Sequence, residues 1–360
     1  MSGLECLIFP APWSASRLNS VAESANSTKK GVYNRKPARN CWPATPRDWL
    51  TAHSRVRLGR LDRFSAIRNS RDVLVRMLAR NGSSIQFDTG SGFEILLPAS
   101  YRSLIIMALD GVLFHTTLVE LAKRAVRPGD IVIDGGSNVG FFALLAATRL
   151  QGSGSVFAFE PDPETFSLLQ QNIHRNGFEN TIQAERLALT GSEGTYEFSV
   201  DMEEPMLSSL VFRQPNSFGK VRVEGVRLDD FLAASGLERA DIIKLDLEGA
   251  EPMALEGAHA LLPTARMLIF EVNEPQLSQL GIEPVALVER TIATGKFDTV
   301  FFIDERSERI CHWEPRGFEE ALSAYKFINV VCTRSDVIKA QQLPAVQSIP
   351  SSSTAEAACR

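Results

Sequence analysis

Short apolar runs alternate with amphipathic segments over most of the second half of the chain. The runs DIVIDGG, GSVFAFE, TIQAERLAL, ADIIKLDLEG and ARMLIFEVNE are separated by stretches with helical spacing. Strands that are apolar throughout are typical of a parallel sheet that helices cover on both faces. The pattern therefore predicts a doubly wound α/β domain over residues 126–335, with a mostly parallel, seven-stranded sheet.

Weaker patterns surround this core. FDTVFFID and KFINVVCT follow each other with a loop between them, which predicts an antiparallel strand that closes the sheet. Residues 191–226 lack helix signals and are predicted to form a β-rich insertion. Residues 61–125 are predicted to form an extension with a helix near 64–80, a hairpin in SIQFDTGSGFEILLPAS and a second helix at 116–125.

The two ends of the chain differ from the rest in composition. Residues 1–60 mix Ser, Asn, Pro and basic residues without periodicity, and we expect a mostly disordered basic leader there. An Arg- and Ser-rich leader is also compatible with an organelle transit peptide. Residues 336–360 are rich in Gln, Pro, Ser and Ala and are predicted to be a mobile tail.

Charge and cysteine usage narrow the function classes. The formal net charge is -5, so the chain as a whole has no electrostatic footprint for nucleic acid. The five cysteines are scattered and form neither a disulfide framework nor a CxxC metal site. No apolar stretch reaches the roughly 20 residues that a membrane span needs. We therefore expect a cytoplasmic protein with a small-molecule or glycan partner.

The strongest chemical signal is IVIDGGSNVGFF, residues 131–142. A buried strand ends in Asp134, a loop carries Gly136 and Gly140, and the pattern places the start of a helix at about Asn138. Glycines at such a turn allow close approach of a ligand, and a helix N-terminus suits a carboxylate. The spacing is not the G-x-G-x-x-G of dinucleotide sites, and Asp134 suits an ammonium better than a pyrophosphate. A simple tight turn is the alternative.

The second signal is VFAFEPD, which places Glu160 at the tip of the next strand. A carboxylate there can accept hydrogen bonds from both hydroxyls of a ribose. Pro161 and Asp162 would then border an adenine, and the third strand, expected to end near Leu187–Ala188, would form the opposite wall. The alternative is an exposed acid at a strand end.

The third signal is DIIKLDLEGAE, residues 241–251. If the strand order reverses beside the first strand, Asp246 and Glu248 lie across a crevice from the glycine loop. The next strand tip supplies Glu271, which could approach Asp246. The alternative for Glu248 and Glu251 is charge complementarity with a helix N-terminus.

These motifs, together with VRLDDFL and LIFEVNE, resemble the FkbM family of S-adenosylmethionine-dependent O-methyltransferases, in order over about residues 125–333. Gly135-Gly136-Ser137-Asn138 departs from the more usual hydrophobic-Gly-Ala-Asn. The resemblance implies a Rossmann-like fold and S-adenosylmethionine as cofactor. The predicted cofactor contacts are Asp134, Gly136, Ser137, Asn138, Gly140, Glu160, Pro161 and Ala188, and Asp246 and Glu248 are predicted to face the reaction centre.

The predicted reaction is methyl transfer to a hydroxyl of a sugar, a polyketide or another small metabolite. Asp246 is the first candidate for the general base and Glu248 the second. Asp246, Glu271 and Asn273 are suitable oxygen ligands for Mg²⁺, but their spacing does not require a metal and none is predicted. A nicotinamide-dependent oxidoreductase and a non-catalytic S-adenosylmethionine-binding module are the alternatives.

Overall fold

The computed structural model describes residues 6–9, 75, 77, 83–109, 116–201, 207–211, 218–304 and 309–335. The strands are β1 (Cys6–Phe9), β2 (Ser84–Asp88), β3 (Glu94–Pro98), β4 (Ile131–Gly135), β5 (Ser155–Phe159), β6 (Ile182–Glu185), β7 (Ala188–Leu189), β8 (Gly194–Asp201), β9 (Phe218–Val226), β10 (Ile242–Leu245), β11 (Met267–Asn273), β12 (Thr299–Asp304), β13 (Arg309–His312) and β14 (Phe327–Thr333). The helices are α1 (Arg102–Leu109), α2 (Thr117–Ala125), α3 (Phe141–Leu150), α4 (Pro163–Arg175), α5 (Leu228–Ala234), α6 (Glu251–Gly257), α7 (Glu274–Gln279), α8 (Pro284–Gly295) and α9 (Pro315–Tyr325).

The largest sheet has the strand order β13-β12-β14-β11-β10-β4-β5-β6. Neighbouring strands from β11 to β6 pair in parallel, whereas β14 is antiparallel to both β11 and β12. This confirms the doubly wound, mostly parallel α/β fold and its antiparallel closing strand. The sheet has eight strands instead of the expected seven, because the short strand β13 pairs with β12 at the edge.

Both faces of this sheet are buried, as its apolar strands predict. Ile133 and Ile243 belong to a core on one face, while Val132 and Ile242 belong to a core on the other. Since successive residues of a strand point to opposite faces, helices must cover both sides of β4 and β10. The apolar strands therefore form the middle layer of a three-layer domain, with helices as the two outer layers.

The strand order reverses at β4, which lies between β5 and β10. On either side of such a point, the chain leaves the carboxyl ends of the two neighbouring parallel strands in opposite directions. A crevice therefore opens between the two segments. The residues that follow β4, β5 and β10 therefore meet at one place, as the third sequence motif required.

Two sequence interpretations of strands are wrong. The third strand ends at Glu185, and Ala188–Leu189 forms β7 of a separate sheet, because Ala188 packs with Phe198 and Val223 of the insertion. That sheet has the order β7-β9-β8, which confirms a β-rich insertion. The segment between β12 and β14 contains β13 and α9, whereas only a loop was expected.

The hairpin β2–β3 and the helix α2 of the N-terminal extension are confirmed. The helix α1 was not anticipated, and of the predicted helix at 64–80 only Val75 and Met77 are described, both helical.

Within 1–60 the structure describes β1, which pairs antiparallel with β2; the rest of that segment and residues 336–360 lie outside the described residues. The domain boundaries stay predictions. Among the described helices, none has the length and apolar character of a membrane span.

Candidate functional site

A cleft opens at the crevice, the place where ligands bind in open α/β sheets. It lies at the carboxyl ends of β4, β5 and β10 and is closed on one side by the insertion. It is lined by Gly136, Asn138, Phe159, Glu160, Pro161, Leu187, Ala188, Leu189, Phe198, Ser208, Leu210, Asp246, Leu247, Glu248 and Ala250. Most of the predicted site residues are thus brought together, from three separate motifs.

The glycine loop after β4 is shaped by main-chain packing. Gly136 has φ 71, and a Cβ there would lie 1.9 Å from the carbonyl oxygen of Asp246. Glycine is therefore required at this position by the neighbouring β10 segment, before any ligand is considered. Gly140 has φ 95, and its Cβ would lie 2.7 Å from Leu169 Cδ1 of α4. The helix begins at Phe141 and not near Asn138, which has a left-handed φ of 50.

Glu160 connects the glycine loop to the start of α4. Its Oε2 accepts a hydrogen bond from the Asn138 N–H at 2.9 Å, and its Oε1 accepts one from the Asp162 N–H at 2.9 Å. Burial raises the pKa of Glu160 to about 8, although both N–H bonds act in the opposite direction. Each carboxylate oxygen keeps a second lone pair, so Glu160 can accept hydrogen bonds from a ligand in the cleft.

Lys244 is the main feature of the site to which the sequence interpretation gave no role. Its Nζ lies 3.4 Å from Asp134 Oδ1 and 3.4 Å from Asp246 Oδ2, and it donates to the Gly136 carbonyl oxygen at 3.3 Å. Burial alone would lower the pKa of Lys244, but Asp246 and Asp134 raise it above its ordinary value. A lysine inside the otherwise apolar strand IIKL was the signal that could have identified it.

Asp134 is completely buried behind Lys244 and does not line the cleft. Burial raises its pKa, and the neighbouring Lys244 acts in the opposite direction. Two other predicted contacts, Ser137 and Gly140, are also absent from the lining. The Ser137 hydroxyl donates to the Asp134 carbonyl oxygen at 2.7 Å, so it stabilises the loop from inside.

The loop after β10 brings Glu248 to the cleft in a left-handed conformation, with φ 52. Glu251 closes this loop, because its carboxylate accepts the N–H groups of Leu247 at 2.6 Å and Gly249 at 3.0 Å. Ser209 of the insertion donates its hydroxyl to the Glu248 carbonyl oxygen at 2.5 Å. The conformation of the loop therefore depends on contacts from both sides.

Carboxylates cluster around the loop after β10, where Asp246 and Glu248 line the cleft. Burial, followed by the nearby Asp246, raises the pKa of Glu248 to about 8. Burial and the charge of Glu248 raise the pKa of Glu271 well above its usual range, and burial raises that of Glu251 to about 7. Within the described ranges, no three or more His, Cys, Asp or Glu side chains are arranged to hold a metal ion.

The insertion supplies lining residues that no sequence motif indicated. Phe198, Ser208 and Leu210 come from β8 and from the segment that follows it, and Leu187 and Leu189 flank the predicted Ala188. The alternation of residues along a strand does not show which face of a separate sheet lies against a cleft. These residues could therefore not be assigned to the site from the sequence.

The chain matches the methyltransferase FkbM domain over residues 134–303, which include the glycine loop, Glu160 and the β10 motif. Hexuronic acid methyltransferase AglP of Haloferax volcanii is 26% identical over 182 residues, which cover 51% of this chain and 69% of that protein. Methyltransferase sdnD of Sordaria araneosa is 30% identical over 235 residues, covering 57% and 85%. The 31-O-demethyl-FK506 methyltransferase FkbM of Streptomyces tacrolimicus is 30% identical over 183 residues, covering 41% and 67%.

Proposed function

The chain belongs to the FkbM family of methyltransferases and is therefore an enzyme that transfers methyl groups, and from this premise we propose that S-adenosylmethionine is its cofactor. The acceptor that we propose is a hydroxyl of a sugar, a polyketide or another small metabolite, since similar proteins are named for a hexuronic acid and for the 31-O position of FK506.

The observation that carries the cofactor proposal is Glu160. It is a buried carboxylate at the carboxyl end of β5, it lines the cleft, and its free lone pairs match the two hydroxyl donors of a ribose. Asn138, Pro161 and Ala188 border the same part of the cleft. We assign Asp134, Ser137 and Gly140 to shaping the glycine loop and balancing Lys244, because they do not line the cleft.

When bound, S-adenosylmethionine supplies a methyl group already activated on a sulfonium. The chain then has to align an acceptor hydroxyl and remove its proton. We assign proton removal to Glu248, which lines the cleft and whose raised pKa lies near the working pH, the condition under which a general base is most effective. We assign orientation of the hydroxyl to Asp246, which the ion pair with Lys244 holds in place. This assignment reverses the order expected from the sequence.

Calorimetry of the full chain with S-adenosylmethionine and with NAD tests the cofactor proposal. We expect saturable binding of S-adenosylmethionine and none of NAD at the same concentrations. Binding of NAD alone would contradict the proposal and favour an oxidoreductase. Binding of S-adenosylmethionine without methyl transfer to any member of a broad panel of hydroxylated metabolites would favour a non-catalytic module.

A further inference from the structure

A short segment of the β-rich insertion both lines the cleft and contacts the loop after β10. Ser208 and Leu210 line the cleft, while Ser209 between them is completely buried. Ser209 and Ser199 of β8 exchange two main-chain hydrogen bonds of 2.9 Å, which fix the segment to the insertion sheet. Because side chains alternate along an extended segment, Ser209 points to the side opposite Ser208 and Leu210.

The side chain of Ser209 contacts the loop at one peptide group, the one between Glu248 and Gly249. The carbonyl oxygen of this peptide accepts a hydrogen bond from the Ser209 hydroxyl at 2.5 Å. The N–H of the same peptide donates to Glu251 Oε2 at 3.0 Å. A peptide group is planar, so bonds on its two opposite sides fix the direction in which the whole group points.

The residues that this peptide joins both have a left-handed backbone. Glu248 has φ 52 and Gly249 has φ 98. A residue with a side chain seldom adopts this conformation, which persists where the surroundings enforce it. Gly249 accepts either sign of φ and does not enforce it. Without the two bonds, Glu248 is free to return to a negative φ, and its side chain turns with the rotation about the N–Cα bond.

We infer that Ser209 is a positioning residue for methyl transfer, whose hydroxyl fixes the Glu248–Gly249 peptide and thereby holds the Glu248 side chain at the cleft. The inference rests on the proposed function, in which Glu248 removes the proton of the acceptor hydroxyl. Ser209 acts through Glu248 and not on the ligand. The insertion therefore does more than wall the cleft, because the segment that carries Ser208 and Leu210 also sets the position of the base.

NMR of selected peptides tests whether Ser209 fixes this peptide and no other. The chain contains four Glu-Gly pairs, at 193–194, 224–225, 248–249 and 256–257. Labelling glutamate with ¹³C at the carbonyl and glycine with ¹⁵N gives one signal for each of these peptides. In Ser209→Ala the signal of 248–249 should shift, and its amide should exchange about tenfold faster or more, because one hydrogen bond of the peptide is lost.

The other Glu-Gly peptides are internal controls. Gly194 and Gly225 pair with each other in β8 and β9, so their signals report on the insertion sheet. These signals should stay unchanged in Ser209→Ala, whereas a merely structural role of Ser209 would move them too. Ser199→Ala keeps the main-chain bonds to Ser209 and is the matched control variant. All four of its signals should resemble those of the unchanged chain, apart from small effects beside the substitution.

Turnover is the second readout, measured with an acceptor from the panel of hydroxylated metabolites. Ser209→Ala should lower kcat by about tenfold or more and leave KM for S-adenosylmethionine within about twofold, because the base is misplaced while the cofactor contacts remain. Ser199→Ala should keep both constants.

An unmoved 248–249 signal in Ser209→Ala, an equal movement of the insertion signals, or an unchanged kcat would each overturn the inference. If Ser209→Ala does not fold, Ser209→Cys, whose thiol is a weak donor, takes its place with the same expected results. If S-adenosylmethionine does not bind, or if Glu248→Gln keeps full turnover, the proposed function fails instead, and the NMR comparison still decides whether Ser209 fixes the peptide.

Discussion

At the scale of single residues, two glycines have nearly the same left-handed φ but differ in the space around them. Comparing them distinguishes the cost of a left-handed backbone from the cost of a steric clash. Gly136 has φ 71 and Gly177 has φ 68, but only at Gly136 would a Cβ meet other atoms, namely the Asp246 carbonyl oxygen. Gly177→Ala should therefore cost about 1–2 kcal/mol of unfolding free energy, the usual cost of a left-handed residue with a Cβ. Gly136→Ala should cost clearly more in urea unfolding, and equal losses would contradict the packing described for this loop.

Glu160 should contribute mainly to cofactor binding. Glu160→Gln replaces one of the acceptor oxygens that we assign to the ribose with an amide group, so affinity for S-adenosylmethionine should fall by about 1.5–3 kcal/mol. Calorimetry with the folded variant measures this loss of affinity. Glu164→Gln, exposed on the first turn of α4, is the matched control and should bind like the unchanged chain. Unchanged affinity in Glu160→Gln would remove this residue from the site.

Glu248 and Asp246 should differ in their effect on the pH dependence of turnover. The raised pKa of Glu248 means that its ionised, proton-accepting form increases with pH, so kcat should rise through about pH 8. Glu248→Gln should abolish this rise and lower kcat by about 10²-fold or more. Asp246→Asn should keep the rise and mainly raise KM.

The measurement needs an acceptor from a panel of hydroxylated metabolites. The opposite pattern, in which Asp246→Asn loses the pH-dependent rise while Glu248→Gln retains it, would restore the order expected from sequence alone.

At the scale of secondary-structure elements, α4 joins the N-terminal hairpin to the glycine loop through Asn172. This side chain is fully buried; its Oδ1 accepts from Leu96 N at 2.8 Å, and its Nδ2 donates to the carbonyl oxygens of Leu96 at 3.2 Å and Val139 at 2.9 Å. The hairpin is therefore attached to the segment that carries Asn138.

Asn172→Leu should destabilise the chain and loosen the cofactor loop together. It removes the partners of main-chain groups of the partly buried Leu96 and the buried Val139, and a fully buried unsatisfied group costs about 1–3 kcal/mol. Denaturant unfolding and calorimetry with S-adenosylmethionine measure the two effects. Gln171→Leu, exposed on the same helix, should change neither. Lower stability with unaltered cofactor affinity would show that the hairpin does not support the loop.

At the scale of the whole molecule, the buried carboxylates should make the stability of the cofactor-free chain depend on pH. Burial raises the pKa of Glu160 to about 8 and that of Glu251 to about 7, both from 4.5. A group whose pKa is higher in the folded state favours folding below its unfolded pKa and loses that contribution as the pH rises through its folded pKa. The melting temperature should therefore fall as the pH rises from about 4.5, the ordinary pKa, to about 8, the higher of the two folded pKa values.

Differential scanning calorimetry across this range checks the prediction. Glu251→Gln should make the fall shallower below about pH 7, while Glu319→Gln, exposed on α9, should reproduce the curve of the unchanged chain. A melting temperature that is constant or increases over the range would show that these carboxyl groups stay ionised in the folded protein.

The sequence by itself determined the fold class and the positions of three chemical motifs. Both depend on local information: continuous apolar strands such as IVIDGG report burial on two faces, and acids such as Glu160 and Asp246 directly follow such strands. Since the carboxyl ends of parallel strands share one edge of a sheet, placing the motifs on strand ends was enough to bring them near one another.

Only the tertiary structure decided which side chains contact each other. Lys244 lies between Asp134 and Asp246 because β10 pairs with β4 in the register that sets Lys244 beside Asp134. Gln276 reaches Glu248 across 28 residues of sequence. Strand pairing, register and the burial of a carboxylate depend on segments distant along the chain, and no local pattern records them. The requirement for glycine at position 136 and the ion pairs of Lys244 both follow from those long-range contacts.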